Sequence, residues 1–247
     1  MNKKTLLAMS GMAVLSLTAH AAVSVTENFD SYSAGNLNGQ GGWTGPNGVQ
    51  VSSTDPGFGM SGNVATYGGV DNIMSRPMGA TFDDTNILVM EYDVRINGDV
   101  TYNYVQLNAA SGLVAAFGVE RENMTLRGAD GGTQNFDHNL LGGNNHYHMV
   151  LSIDPTAFGG AGSATATYAL YTAESTLGVA TTAFSGVQLN LDDAGLALSD
   201  VNGMVLRQHN AGAAAFTDNI QFNQVPEPSS AVLVGLGGLA LMLRRRK

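Results

Sequence analysis

Several stretches of the chain alternate between apolar and polar residues with a period of two, which is typical of strands that bury one face. In residues 87–96, the even-numbered positions are apolar or aromatic and three charged residues share the opposite face. Residues 146–154 repeat this pattern, with two histidines on the polar face. The same alternation predicts further strands at residues 100–107, 114–119, 124–127, 164–171, 203–207 and 218–222.

The segments between the predicted strands are rich in turn-forming residues. Gly131-Gly132 and residues 142–145 (Gly-Gly-Asn-Asn) are examples, and glycine and asparagine favour tight turns. No long helical period appears outside the two ends of the chain. Many short strands joined by such turns predict an all-β fold, an antiparallel β-sandwich of the jelly-roll type.

Charge and composition exclude some functions and folds for the body of the chain, residues 22–225. Six of the eleven basic residues lie in the two ends, so the body keeps five arginines and no lysine against nineteen acids, a net charge of −14. Such a surface repels phosphate backbones, which excludes nucleic acid as a partner. The body has 28 glycines in 204 residues, about twice the usual share, which disfavours helical bundles. There is no cysteine, so the core must stabilise the fold without disulfides.

The N-terminus has the three parts of a secretory signal peptide. Lys3 and Lys4 are followed by an apolar stretch at residues 6–17, and a small-x-small pattern places cleavage between Ala21 and Ala22. An uncleaved membrane anchor is the alternative, but polar residues within the stretch and its shortness argue against it. We therefore expect a signal helix at residues 1–21, recognised by the Sec translocon, and a mature chain that begins at Ala22.

The C-terminus combines a proline motif, an apolar run and a basic end. Pro226, Glu227 and Pro228 precede an apolar run at residues 231–243. A helix of thirteen residues spans roughly 20 Å, less than the ~30 Å of a bilayer core. The basic end should stop transfer and stay in the cytoplasm. It consists of Arg244, Arg245, Arg246 and Lys247.

This order of motif, short helix and basic end resembles the PEP-CTERM sorting tail of Gram-negative bacteria. The resemblance implies export across the inner membrane, transient anchoring, and processing by an exosortase that passes the protein to the cell surface or extracellular matrix. It also implies an association with exopolysaccharide and biofilm. An ordinary short membrane anchor is the alternative reading. The chain thus divides into a signal peptide (1–21), a β-sandwich (22–225) and a sorting tail (226–247).

The body resembles a concanavalin A-like or laminin G-like jelly roll. The resemblance lies in residues 27–32 and 37–43 at the start, residues 146–154 in the middle, and residues 217–222 at the end. His146 departs from the family pattern, in which a tryptophan often stands at this position. Glycoside hydrolases and polysaccharide lyases use the same scaffold, so an enzyme is the competing interpretation.

Glu91 and Asp93 are the first candidates for chemistry. Laminarinase-like hydrolases carry Glu-x-Asp followed by a second glutamate, and a retaining mechanism needs two carboxyls about 5–5.5 Å apart. Here Arg95 or Ile96 occupies the place of that glutamate, and an arginine lowers the pKa of nearby carboxyls, contrary to what an acid catalyst needs. We therefore predict no catalytic residue and interpret this strand face as a solvated polar surface.

His146 and His148 share one face of a predicted strand, and Asp137 and His138 lie upstream. Imidazole and carboxylate groups can hold zinc. No motif spacing supports such a site, and Asp154 would lie about 20 Å along the strand from His148. A structural or exposed histidine pair is the preferred interpretation.

Glu27 and Asp218 are candidate ligands of a structural calcium ion. Glu27 lies near the first strand and Asp218 opens the last, and the terminal strands of jelly rolls usually lie side by side. Carbohydrate-binding modules of similar shape hold calcium between such carboxylates, and calcium prefers oxygen ligands. The alternative is that both acids are solvated.

Trp43, Tyr102 and Tyr104 are candidate contacts for an extracellular polysaccharide. Sugars often bind to exposed aromatic faces, and Tyr102 and Tyr104 share one strand face. In a sandwich such residues also serve as core. The sequence therefore favours a non-catalytic exported protein that binds glycan weakly, with a glycosidase or lyase and a purely structural matrix protein as the alternatives.

Overall fold

The structure, a computed structural model, describes residues 23–46, 48–53, 57, 60, 62–67, 72–96, 100–120, 123–137, 145–173, 175–210 and 215–225. The expected signal helix and the apolar helix of the tail lie outside these residues. Within them, no helix is long and apolar enough to cross a membrane.

The described residues form strands and two short 3-10 helices. The strands of the first half are β1 (Val23–Glu27), β2 (Gly35–Asn36), β3 (Val49–Ser52), β4 (Val64–Tyr67), β5 (Asn72–Pro77), β6 (Ile87–Ile96), β7 (Val100–Ala109) and β8 (Gly112–Glu120). The second half contains β9 (Asn123–Arg127), β10 (Thr133–Asp137), β11 (Asn145–Asp154), β12 (Ser163–Ala173), β13 (Thr176–Leu177), β14 (Thr181–Gln188), β15 (Val201–Asn210) and β16 (Ala215–Val225). The 3-10 helices span Ala157–Gly160 and Leu198–Asp200.

These strands build two antiparallel sheets. The first has the order β13-β12-β11-β6-β16-β4-β3-β2, with β1 also paired to β16 and β14 to β12. The second has the order β10-β9-β8-β7-β15-β5. Neighbouring strands are often distant in sequence, as β6 and β16 are, so the sheets close through long-range pairing. The predicted antiparallel β-sandwich is confirmed.

The core lies between the sheets and is built by the alternation seen in the sequence. On β6, Leu88, Met90 and Tyr92 are fully buried, and on β11, Met149 and Leu151 are fully buried as well. Tyr92 crosses the sandwich, because its hydroxyl donates a hydrogen bond of 2.8 Å to the carbonyl of Phe117 in the second sheet. Burying such side chains contributes about 1.5–3 kcal/mol each.

The structure also contains strands that the alternation did not predict. They include β1, β3, β5 and β14, which are short or partly exposed. β1 matters for the site because it pairs with β16 and sets Glu27 opposite Ile220. The expectation that the first and last strands lie side by side is therefore met.

Candidate functional site

Tyr102 and Tyr104 lie on the outer face of the second sheet and stack on each other. Their ring centroids are 5.5 Å apart, with an angle of 19° between the ring planes. They share this face because side chains alternate along β7 and the odd-numbered Val105 and Leu107 belong to the core on the opposite face. Tyr104 is only 1% exposed, which corrects the expectation that its ring contacts glycan directly, whereas Tyr102 is half-buried.

Each of these two rings also carries an arginine over its face. The Cζ atom of Arg127, on β9, lies 5.0 Å from the ring centroid of Tyr104. The Cζ atom of Arg207, on β15, lies 5.2 Å from the ring centroid of Tyr102. Both distances are within the range of cation–π attraction. We call these four residues the Tyr–Arg stack.

Glu120 joins the Tyr–Arg stack at one end. Its carboxylate accepts a hydrogen bond from the Tyr104 hydroxyl and forms an ion pair of 2.8 Å with Nη2 of Arg127. Burial, together with this hydrogen bond, raises the pKa of Tyr104, so the phenol stays protonated at physiological pH. Arg207 forms no ion pair with any of the described residues.

Trp43 lies in the core, not on the surface. It is 0% exposed, and its ring stacks on Phe29 at a centroid distance of 6.1 Å. Its indole Nε1 donates a hydrogen bond of 3.2 Å to Glu27. The ring has no exposed face for a sugar, which corrects the expectation that Trp43 contacts glycan.

Glu27 is engaged by the protein through both carboxylate oxygens. Oε1 accepts a hydrogen bond of 3.0 Å from the backbone N–H of Phe29. Oε2 accepts hydrogen bonds from the Tyr32 hydroxyl at 2.7 Å and from Trp43, and it pairs with Arg76. A carboxylate held in this way does not fit the role of a calcium ligand, because an ion would have to displace these donors.

Asp218 differs from Glu27, because it is a buried carboxylate with little compensation from the described residues. It is 0% exposed, and neither oxygen has a hydrogen-bond partner of normal geometry among the described residues. Burial raises its pKa to about 8; the backbone N–H of Asn219 offsets part of the rise, while the nearby acids Asp30, Asp93 and Glu27 add to it. Such a group fits a cation site. Within the described part of the chain, however, no group of three or more His, Asp or Glu residues could hold a metal ion.

The carboxylate pair and the histidine pair, which the sequence presents as separate candidates, meet in the structure. β6 pairs with β11 so that Asp93 lies opposite His148. Nδ1 of His148 lies 2.9 Å from Oδ1 of Asp93, and Nε2 lies 3.7 Å from Oε2 of Glu91. Asp93 also accepts hydrogen bonds from the Tyr171 hydroxyl at 2.9 Å and from Nδ2 of Asn219 at 2.8 Å.

This arrangement corrects the expectation of a solvated polar face. Asp93 is 4% exposed, and His146 is also 4% exposed. The hydrogen bond that His148 donates to Asp93 raises the pKa of His148, whereas burial and Arg95 lower the pKa of His146 to about 4. At neutral pH, His146 is therefore uncharged. The alternation in the sequence predicted the polar face of β6 and the polar face of β11 separately. That the two faces are neighbours follows from the pairing of these strands, which the alternation does not encode.

Comparison with known proteins identifies the tail. A model of the PEP-CTERM protein-sorting motif matches residues 224–247, which confirms the resemblance of this segment. The motif implies export, a transient membrane anchor and processing by an exosortase-type enzyme. No curated protein matches the chain.

Solved structures with a similar fold cover most of the chain at low identity. A sialidase has a TM-score of 0.46 and 9% identity, over 81% of this chain and 18% of the sialidase. The botulinum neurotoxin serotype D binding domain has a TM-score of 0.44 and 9% identity, over 80% of this chain and 47% of that structure. An alginate lyase from Corynebacterium sp. has a TM-score of 0.42 and 10% identity, over 82% and 94% of the two chains. The chain thus spans less than half of the first two proteins.

Proposed function

We propose that this is a non-catalytic protein of the cell surface or extracellular matrix, which binds polysaccharide on the outer face of its second sheet. The observation that carries the proposal is the Tyr–Arg stack, in which Tyr102 is half-buried while Tyr104, which is only 1% exposed, supports the Tyr102 ring from within the sheet. Aromatic rings with neighbouring polar groups are a common means of sugar recognition. Here the rings are fixed by stacking and by the hydrogen bond from Tyr104 to Glu120, so binding would cost little ordering of side chains.

Export would bring the protein to the cell exterior, where extracellular polysaccharide is present. The PEP-CTERM motif matches residues 224–247, and the three-part pattern of residues 1–21 favours a cleaved signal peptide. We infer that the Sec translocon exports the chain across the inner membrane of a Gram-negative bacterium. An exosortase-type enzyme then releases it from its transient anchor.

A glycoside hydrolase or polysaccharide lyase is the competing function, and Asp93 argues against it. The carboxylate of Asp93 is buried and accepts hydrogen bonds from Tyr171 and Asn219 besides its contact with His148. A carboxylate that is fully engaged in this way is unsuited to attack a sugar. We therefore assign these residues a structural role.

A structural calcium ion forms a second part of the proposal. Asp218 would be its buried ligand, with Asp30, an acid whose charge raises the pKa of Asp218, as a second carboxylate and backbone carbonyls completing the shell. The burial of Asp218, whose oxygens have no hydrogen-bond partner of normal geometry among the described residues, supports this site, because a buried charge with little compensation is costly. Glu27 is left out, since its own protein contacts hold both of its oxygens.

A glycan array and a reducing-sugar assay on the full chain in mild detergent test the proposed function. Binding without release of reducing ends supports it, whereas turnover would establish the competing enzyme. Loss of array binding in Tyr102→Ala, with the fold intact by circular dichroism, would assign the binding to the outer face of the second sheet. Unchanged binding in this variant would overturn that assignment.

A further inference from the structure

The distribution of arginines is the starting point for a more specific inference. The body carries five arginines and no lysine against nineteen acids. Arg76 is paired with Glu27, and Arg95 lies over Phe216 on the first sheet. The second sheet places Arg127 and Arg207 on one face. Two scarce positive charges thus share the surface that carries the tyrosine pair.

Arg207 is the charge on this face that the described residues leave uncompensated. Its guanidinium stacks on Tyr102, and no carboxylate of the described residues pairs with it. Nε of Arg207 is buried, so its terminal Nη groups are the donors that can meet a ligand, and their two parallel N–H bonds suit a planar carboxylate. Ile73 lies opposite Arg207 on β5 and is 39% exposed, so an apolar surface adjoins the charge.

Arg127 offers a second, weaker contact on the same face. It shares its charge with Glu120 at 2.8 Å, and both side chains are 29% exposed. β7 and β8 separate the strands of Arg207 and Arg127, which sets their backbones about 14 Å apart at the usual spacing between strands. A ligand that contacts both arginines must therefore be an oligomer with repeated negative groups.

We propose that the ligand is an acidic polysaccharide whose uronate carboxylates bind Arg207 and, more weakly, Arg127. This inference rests on the proposed glycan binding and specifies its ligand class. The tyrosines hold the guanidiniums in place, and the sugar rings lie along the sheet face beside Ile73. The net charge of the body repels polyanions in general, so binding depends on this face alone.

Affinity electrophoresis of the full chain in mild detergent tests the inference, with gels that contain polygalacturonate, carboxyl-reduced polygalacturonate or dextran. We expect retardation by polygalacturonate only, and a weakening between 50 and 500 mM salt because the contact is ionic. Arg207→Gln should reduce the affinity about tenfold, as expected for a lost charge-assisted bidentate contact. Arg207→Lys keeps the positive charge but lacks the two parallel N–H donors of the guanidinium, so this variant should retain only part of the affinity.

Arg95→Gln is the matched control, because Arg95 also lies over an aromatic ring, at 5.5 Å from the centroid of Phe216, but on the other sheet. It should leave retardation unchanged, and melting curves should show that each variant folds. Equal retardation by dextran, or equal loss in Arg95→Gln and Arg207→Gln, would overturn the acidic ligand while glycan binding stands. No retardation by any glycan, together with a negative array, would overturn the proposed function itself.

Discussion

The imidazole of His148 and the carboxylate of Asp93 form a contact of 2.9 Å across neighbouring strands, between residues 55 positions apart in the chain. Asp93 is 4% exposed and the His148 side chain 24%. Tyr171 and Asn219 complete the hydrogen bonds of Asp93. This pair therefore links β6, β11, β12 and β16 on the outer face of the first sheet.

The His148–Asp93 pair predicts a pH-dependent stability. The pKa of His148 is raised, first by the hydrogen bond to Asp93. Protonated His148 therefore stabilises the folded state. This contribution is complete below the ordinary histidine pKa near 6.5, which applies to the unfolded chain, and it is lost as the pH rises through the raised pKa of the folded protein. The loss of this contribution should lower the melting temperature between pH 6 and 9. We expect His148→Gln to lack this part of the decrease.

Melting curves of the two proteins at intervals of half a pH unit measure this effect. Asp218 titrates in the same window in both, so the difference between the two curves isolates His148. Thr167→Ser, on the neighbouring strand β12, is a control that should leave the pH profile unchanged. Parallel curves for the unsubstituted protein and His148→Gln would contradict the prediction.

Asp218 predicts a response to calcium. Its pKa is raised to about 8, mainly by burial, so without a cation its contribution to stability is full below pH 3.8 and is lost as the pH rises towards 8. Each pH unit in this interval is worth about 1.4 kcal/mol. At pH 9 in chelator, Asp218→Asn should therefore unfold at a higher temperature than the unsubstituted protein.

Added calcium should reverse this order. It should raise the melting temperature of the unsubstituted protein at pH 9, because the ion neutralises the buried carboxylate. It should leave Asp218→Asn unchanged, and Asp130→Asn, at an exposed acid in the turn between β9 and β10, should keep the response. If differential scanning fluorimetry shows no effect of calcium or chelator on the unsubstituted protein, the calcium proposal fails.

Glu27 predicts a large loss of stability on truncation. Glu27→Ala removes the partner of Arg76, Tyr32 and Trp43 at once. Removing one member of a buried ion pair usually costs about 3–5 kcal/mol, because it leaves the partner uncompensated. Urea unfolding at neutral pH measures the free energy of unfolding.

Glu91→Ala is the comparison for this substitution. Glu91 is 30% exposed and lies 3.7 Å from His148, so its removal should cost at most about 1 kcal/mol. Similar losses in Glu27→Ala and Glu91→Ala would refute a central role for Glu27.

The sequence allowed the fold to be predicted where the alternation was regular. β6 and β11 were predicted within a residue of their bounds, because one face of each strand is buried in the core. The short strands β1 and β3 were missed, since four or five residues carry little periodic signal. The tail was predicted from its motif, which local sequence encodes in full.

The candidate site was less predictable, because its contacts are long-range. The sequence placed Tyr102 and Tyr104 on one face, but Arg127 and Arg207 reach them from β9 and β15. Trp43 was taken for a surface ring although Glu27 and Phe29 bury it. Burial of polar groups depends on which strands become neighbours, and alternation within one strand does not contain that information.

The sorting tail predicts a requirement for its prolines. Pro226 and Pro228 should keep the segment before the apolar run out of helix and accessible to a processing enzyme. In the native host, Pro226→Ala with Pro228→Ala should therefore leave an unprocessed chain in the inner membrane, detected by immunoblotting of cell fractions. Ser229→Ala with Ser230→Ala is a control that alters the adjacent positions and should be processed normally. Normal release of the double proline variant would show that the enzyme reads the apolar run and the basic end without the motif.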